Sequence, residues 1–99
     1  MGALAVIETV DRDGQARHAV IVRRWPLRVG RALDNHLVLS DSYVAAHHFH
    51  VEAMEGGLQL TVDQTDNGVQ IGRRRLRSGE QHRWAPDEAP LEMIVGRTR

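Results

Sequence analysis

Apolar and polar residues alternate along most of this chain with a period of two, the spacing of half-buried strands rather than of helices. Residues 3–10 are rich in β-branched side chains and stop at Asp11-Arg12-Asp13-Gly14, a hairpin signal in which glycine supplies the positive φ of a tight turn. The chain returns through His18-Ala19-Val20-Ile21-Val22, and Trp25-Pro26 then interrupts pairing because proline has no backbone donor. Short strands are expected at residues 27–30 and 36–39. In residues 48–52 the alternation sends Phe49 and Val51 inward and leaves His48, His50 and Glu52 on the opposite face. Gly56-Gly57 turns into residues 58–62, with Leu58, Leu60 and Val62 inward. Asp66-Asn67-Gly68 turns into residues 69–72, and weaker strands follow around Leu76 and over residues 81–84 and 91–95. About ten short strands at roughly 8–12-residue spacing, with one helical turn at most over residues 41–46, predict an all-β sandwich or barrel.

Composition narrows the class. Ninety-nine residues make one domain, residues 1–99, and 41% hydrophobic with 26% charged residues is ordinary for a soluble chain. Thirteen basic and thirteen acidic residues cancel, which excludes the basic balance of most nucleic-acid binders and also an acidic tail. Every basic residue is arginine, as a GC-rich bacterial-type coding background produces. Cysteine is absent, so disulfides, thiolate nucleophiles and Cys-ligated zinc are excluded. No apolar run approaches a membrane span and no secretory signal is visible, so the expected location is cytoplasmic, without membrane contact by this segment. Gly96-Arg97-Thr98-Arg99 falls inside the expected last strand pair, and the chain reads as a domain excised from a longer protein.

Most candidate chemistries are incomplete. His47, His48 and His50 suggest zinc, with His36 or Asp41 as a further ligand, but a polar strand face plus one packed histidine accounts for them, and no metal or cofactor is assigned. Residues 63–68 half-match an EF-hand loop, yet its twelfth position is Arg74 rather than glutamate. Ser40, Ser42 and Ser78 lack a nucleophile motif, so no enzyme is expected. Arg73-Arg74-Arg75 and Arg77 suggest phosphate contacts, but a solvated hairpin with arginines guarding an edge strand is the commoner case.

One ordered set is more specific. Gly30-Arg31 follows a short strand, then come Asn35, Leu39, Asp41, Val44 and His48. Further along are Asp63, Thr65-Asp66-Asn67-Gly68, Ile71-Gly72, Leu76 with Gly79, and Ile94-Val95-Gly96. In order and spacing this set resembles the forkhead-associated (FHA) domain, from about Val6 to Arg99. The resemblance implies a β-sandwich of two mainly antiparallel sheets, about ten or eleven strands, with phosphothreonine-peptide-binding loops at one end. It implies that Arg31 takes the phosphate, that Thr65 assists and that Asn67 grips the peptide backbone. It further implies that Gly30, His48 and Gly68 brace the loops. A guanidinium fork suits a dianionic phosphate, and a carboxamide offers one donor and one acceptor to a peptide.

The pattern departs from the family at three positions. Ala45 stands where the family has a hydroxyl-donating serine, Ala46 where it has a basic or polar residue, and Asp66 where a threonine faces the phosphate. Asp66 is expected to pair with Arg31 and fill the phosphate seat from within. The expected function is therefore a non-catalytic interaction module with a degenerate phosphate site, binding an unmodified protein or another domain of its own protein. The alternative is phosphothreonine-peptide binding through Arg31 and Asn67.

Overall fold

A computed structural model of the chain describes residues 5–10, 16–22, 25–85 and 93–96, the first two segments as backbone alone. In chain order the strands are β1 (Ala5–Val10), β2 (Ala16–Val22), β3 (Leu27–Gly30), β4 (Leu37–Val38) and β5 (Phe49–Met54). They continue as β6 (Gly57–Val62), β7 (Val69–Ile71), β8 (Arg74–Leu76), β9 (Gln81–Trp84) and β10 (Ile94–Val95). Ten strands and no helix among the described residues agree with the period-two pattern. β1 and β2 pair antiparallel from Ala5↔Val22, with a register shift after Thr9. The turn expected at Asp11–Gly14 and the strand residues Leu91 and Glu92 lie outside the described residues.

Two sheets form the sandwich, one of five strands in the order β4-β3-β5-β6-β9 and one of three in the order β10-β7-β8. Every pair is antiparallel except β3–β4. Leu27, Val29, Phe49, Val51, Leu60 and Val62 of the larger sheet bury against Val69, Leu76 and Val95 of the smaller, with Leu39 and Val44 closing one end. The inward sets read from β5 and β6 are the ones observed, Leu58 being partly buried. Trp25-Pro26 is a cis peptide immediately before β3.

The register places the end of β3, the start of β5 and the end of β6 side by side, since Val29 faces Phe49 and Phe49 faces Val62. Three connections therefore gather at one end of the sandwich: residues 31–36, 39–48 and 63–68.

His48 departs from the alternation. β5 begins at Phe49, and His48 is fully buried rather than sharing an outer face with His50 and Glu52. Burying an imidazole is costly unless its polar atoms are paired. Both are: Nδ1 accepts from the Ala45 N–H at 3.0 Å, and Nε2 donates to the Gly68 carbonyl at 2.7 Å.

Candidate functional site

The base of the loop cluster is backbone locked to backbone. Arg31 N–H donates to the Ala45 carbonyl at 2.9 Å, and Ala32 N–H to the Ala46 carbonyl at 3.1 Å. A Cβ on Gly30 would collide with that Ala46 carbonyl oxygen, so only glycine lets β3 run this close to the 39–48 connection. Buried Asn35 completes the clasp, its Nδ2 donating to the Ala32 and Ala46 carbonyls, each at 2.7 Å. Above it, His47 Nε2 bonds both Asp34 carboxylate oxygens at 3.0 Å, and this hydrogen bond holds the exposed Asp34 carboxyl below its ordinary value.

The third connection is held from two directions. His48 ties its end at Gly68 to the 39–48 loop. Gly68 has φ +66°, and a Cβ there would strike the Leu76 carbonyl, so the turn demands glycine twice over. Ser78 fixes the start of the turn, its Oγ accepting from Thr65 N–H at 3.0 Å and donating to the Thr65 carbonyl at 2.9 Å. Thr65 Oγ1 accepts from Asn67 N–H at 3.2 Å. Its hydroxyl proton remains free for an acceptor.

On this base Arg31 and Asn67 converge. Arg31 Nε donates to the Val44 carbonyl at 3.1 Å, and Asn67 Nδ2 donates to the Tyr43 carbonyl at 2.8 Å. The two side chains thus grasp consecutive carbonyls of one loop, whose α-carbons are about 3.8 Å apart. Arg31 is oriented by its inner nitrogen, while its two terminal nitrogens bond nothing among the described residues. Asn67 keeps one N–H and its carbonyl oxygen, one donor and one acceptor, as a grip on extended backbone requires.

The sequence profile of the FHA domain matches residues 27–87, well over half of the chain. The chain belongs to the FHA family. Its fold is similar to that of the FHA domain of CT664 from Chlamydia trachomatis, with TM-score 0.78 and 15% identity over 97% of this chain and 92% of that one. A structure from a study of phosphothreonine-dependent FHA domain interactions superposes with TM-score 0.74 and 16% identity, over 97% and 91% of the two chains. The FhaA FHA domain, solved in complex with the intracellular domain of Rv3910, gives TM-score 0.70 and 16% identity over 94% and 92%. At these identities the likeness is one of fold. No curated protein matches the chain by sequence.

Within this FHA domain the three positions expected to depart from the family pattern fall on the same loops. Ala45 uses its N–H on His48 and its carbonyl on Arg31 N–H, and its side chain offers no donor. Ala46 is exposed, and its carbonyl is taken by Ala32 and Asn35. Asp66 is exposed and forms no ion pair among the described residues, so the expected Arg31–Asp66 pairing is not made. Arg31 turns instead to the Val44 carbonyl, a fixed acceptor on the adjoining loop.

The histidines go separate ways. His48 is occupied beneath the loops, His47 bonds Asp34, and His50 lies between Asp63, at 2.9 Å, and Glu52, at 3.1 Å. His50, Glu52, Asp63 and Arg28 line an open polar groove of about 480 Å³ that excludes Arg31, Thr65 and Asn67. Three supporting residues had no role assigned from sequence: Asn35, Ser78 and Arg75. Arg75 Nη1 donates to the Asn67 carbonyl and Nη2 to Gln70 Oε1 at 3.2 Å. The predicted hairpin put Arg75 near Gln70, but nothing local pointed either Arg75 or Ser78 toward the 63–68 connection.

Proposed function

We propose that this FHA domain is a non-catalytic protein-interaction module whose loop end carries a degenerate phosphate site and docks an unmodified protein or another domain of its own protein. Ala45 carries the reading. The residue between His48 and Arg31 has both backbone groups engaged and a methyl side chain, so it gives a bound phosphate nothing. A missing hydrogen bond to a charged group costs about 1.5–3 kcal/mol. The Asp66 carboxylate, exposed and without an ion pair among the described residues, adds repulsion that grows with the charge of the ligand. Asn67 still offers its donor and acceptor to a peptide backbone, a contact indifferent to phosphorylation.

The unpartnered end of the Arg31 guanidinium favours a second reading, phosphothreonine-peptide binding through Arg31, Thr65 and Asn67. The phosphothreonine-dependent interactions of a structural neighbour point the same way. Fluorescence-anisotropy titrations with matched phosphothreonine and threonine peptide libraries separate the two, run on the wild type and on Arg31→Ala. Equal binding of both libraries supports the unmodified partner. Phosphate-dependent binding that Arg31→Ala abolishes overturns it in favour of the second reading.

A further inference from the structure

The arginine run at the β7–β8 hairpin is left over once the loop site is assigned. Its members diverge. Arg74 reaches Glu80 at 3.6 Å, and Glu80 also accepts from Arg77 N–H at 2.9 Å. Arg75 sits in mid-β8 opposite Gln70, beside the buried Leu76, so strand alternation sends it to the other face of the sheet. From there it donates to the Asn67 carbonyl and to Gln70. Arg73 and Arg77 flank β8 at its two ends, both exposed, and their guanidinium groups bond nothing among the described residues.

We propose that Arg73, Arg75 and Arg77 form a cationic strip, continuous with Asn67, that reads acidic side chains in the segment of partner flanking the residue held by the loops. Arg75 lies within β8, Arg73 in the turn that enters it and Arg77 directly after its last residue, so three cationic side chains bracket one short strand. A partner segment that carries carboxylates therefore matches the strip in charge. A peptide is the fitting ligand because the strip adjoins the backbone-gripping asparagine. The chain as a whole, with thirteen basic and thirteen acidic residues, lacks the field that draws nucleic acid. This proposal deepens the interaction reading above and relies on it for the peptide's position.

The test uses eight fluorescein-labelled peptides, with threonine or phosphothreonine at the centre and either alternating Asp/Glu or alternating Ser on the flank, placed on each side in turn. They are titrated at 50 and 500 mM NaCl against the wild type, Arg73→Gln/Arg77→Gln and Arg31→Ala, with a single-stranded oligonucleotide of equal length as a further probe. Thermal melts check that the double variant stays folded. The expected result is an acidic-flank preference of about threefold to tenfold on one side at low salt, lost at high salt and in the double variant. Amide shifts of residues 73–77 should mark the acidic flank in the wild type. A preference that survives the double substitution, no preference, no peptide binding at all, or tighter binding of the oligonucleotide overturns the strip. Phosphate dependence without flank preference overturns the strip and, where Arg31→Ala abolishes it, the unmodified-partner reading as well. Flank preference that Arg31→Ala leaves untouched supports the strip and agrees with a loop end that holds its partner without phosphate.

Discussion

The base and the tips of the loop cluster are built on different terms. At the base, Gly30, Asn35, His48 and Gly68 are buried, and each meets a neighbouring backbone through a contact that another residue type cannot reproduce. At the tips, Arg31, Asp66 and Asn67 are exposed and touch the fold through one hydrogen bond or none to a described residue by their side chains. Ala45, Ala46 and Asp66, the positions expected to depart from the family pattern, lie on the loops above. The physical lesson is that folding constrains the base, because a change there either strands a buried polar group or drives a side chain into backbone. The tips are held by far less of the fold.

Removing the brace should show the contrast at its largest. His48→Ala strands the Ala45 N–H and the Gly68 carbonyl and opens a cavity, at a cost of about 3–4 kcal/mol in denaturant unfolding followed by tryptophan fluorescence. A loss under about 1 kcal/mol would mean that the two loops hold each other without it. Ala45→Ser acts on the tips alone. Its stability should stay within about 0.5 kcal/mol of the wild type, while affinity for a phosphothreonine peptide rises about tenfold or more. Unchanged affinity would show that Asp66 rather than the missing hydroxyl limits the site.

The smallest effect belongs to the exposed Asp34–His47 clasp. The folded carboxyl titrates below its ordinary 3.8, so its contribution is present above that value and is lost as pH falls through the lowered one. Acid unfolding of the wild type and Asp34→Asn should therefore converge as pH falls through the lowered carboxyl value and separate slightly once pH rises above the ordinary 3.8. Curves that stay parallel down to pH 2 would assign the difference to something other than this carboxyl.

Much of the fold was legible because strand burial is a local matter. The alternation of Phe49 with Val51 and of Leu60 with Val62 follows from backbone geometry, and both pairs are buried as read. Turn glycines were legible for the same reason, Gly68 having the positive φ that Asn-Gly announces. The loop site was legible only as an ordered set of residues. Its parts lie on three connections spread over more than thirty positions, and Arg31 and Asn67 meet through the carbonyls of Tyr43 and Val44 rather than through each other.

By itself, then, the sequence determined the all-β class, the inward faces of the central strands, the turns and the absence of a cysteine-based chemistry, since each depends on near neighbours or on composition. Tertiary structure decided that His48 turns inward, that Arg31 prefers the Val44 carbonyl to Asp66, and that Arg75 and Ser78 steady the third loop. Those outcomes turn on which backbone donors and acceptors the sandwich leaves open at one end, and that is known only once strands distant in sequence have been brought into register.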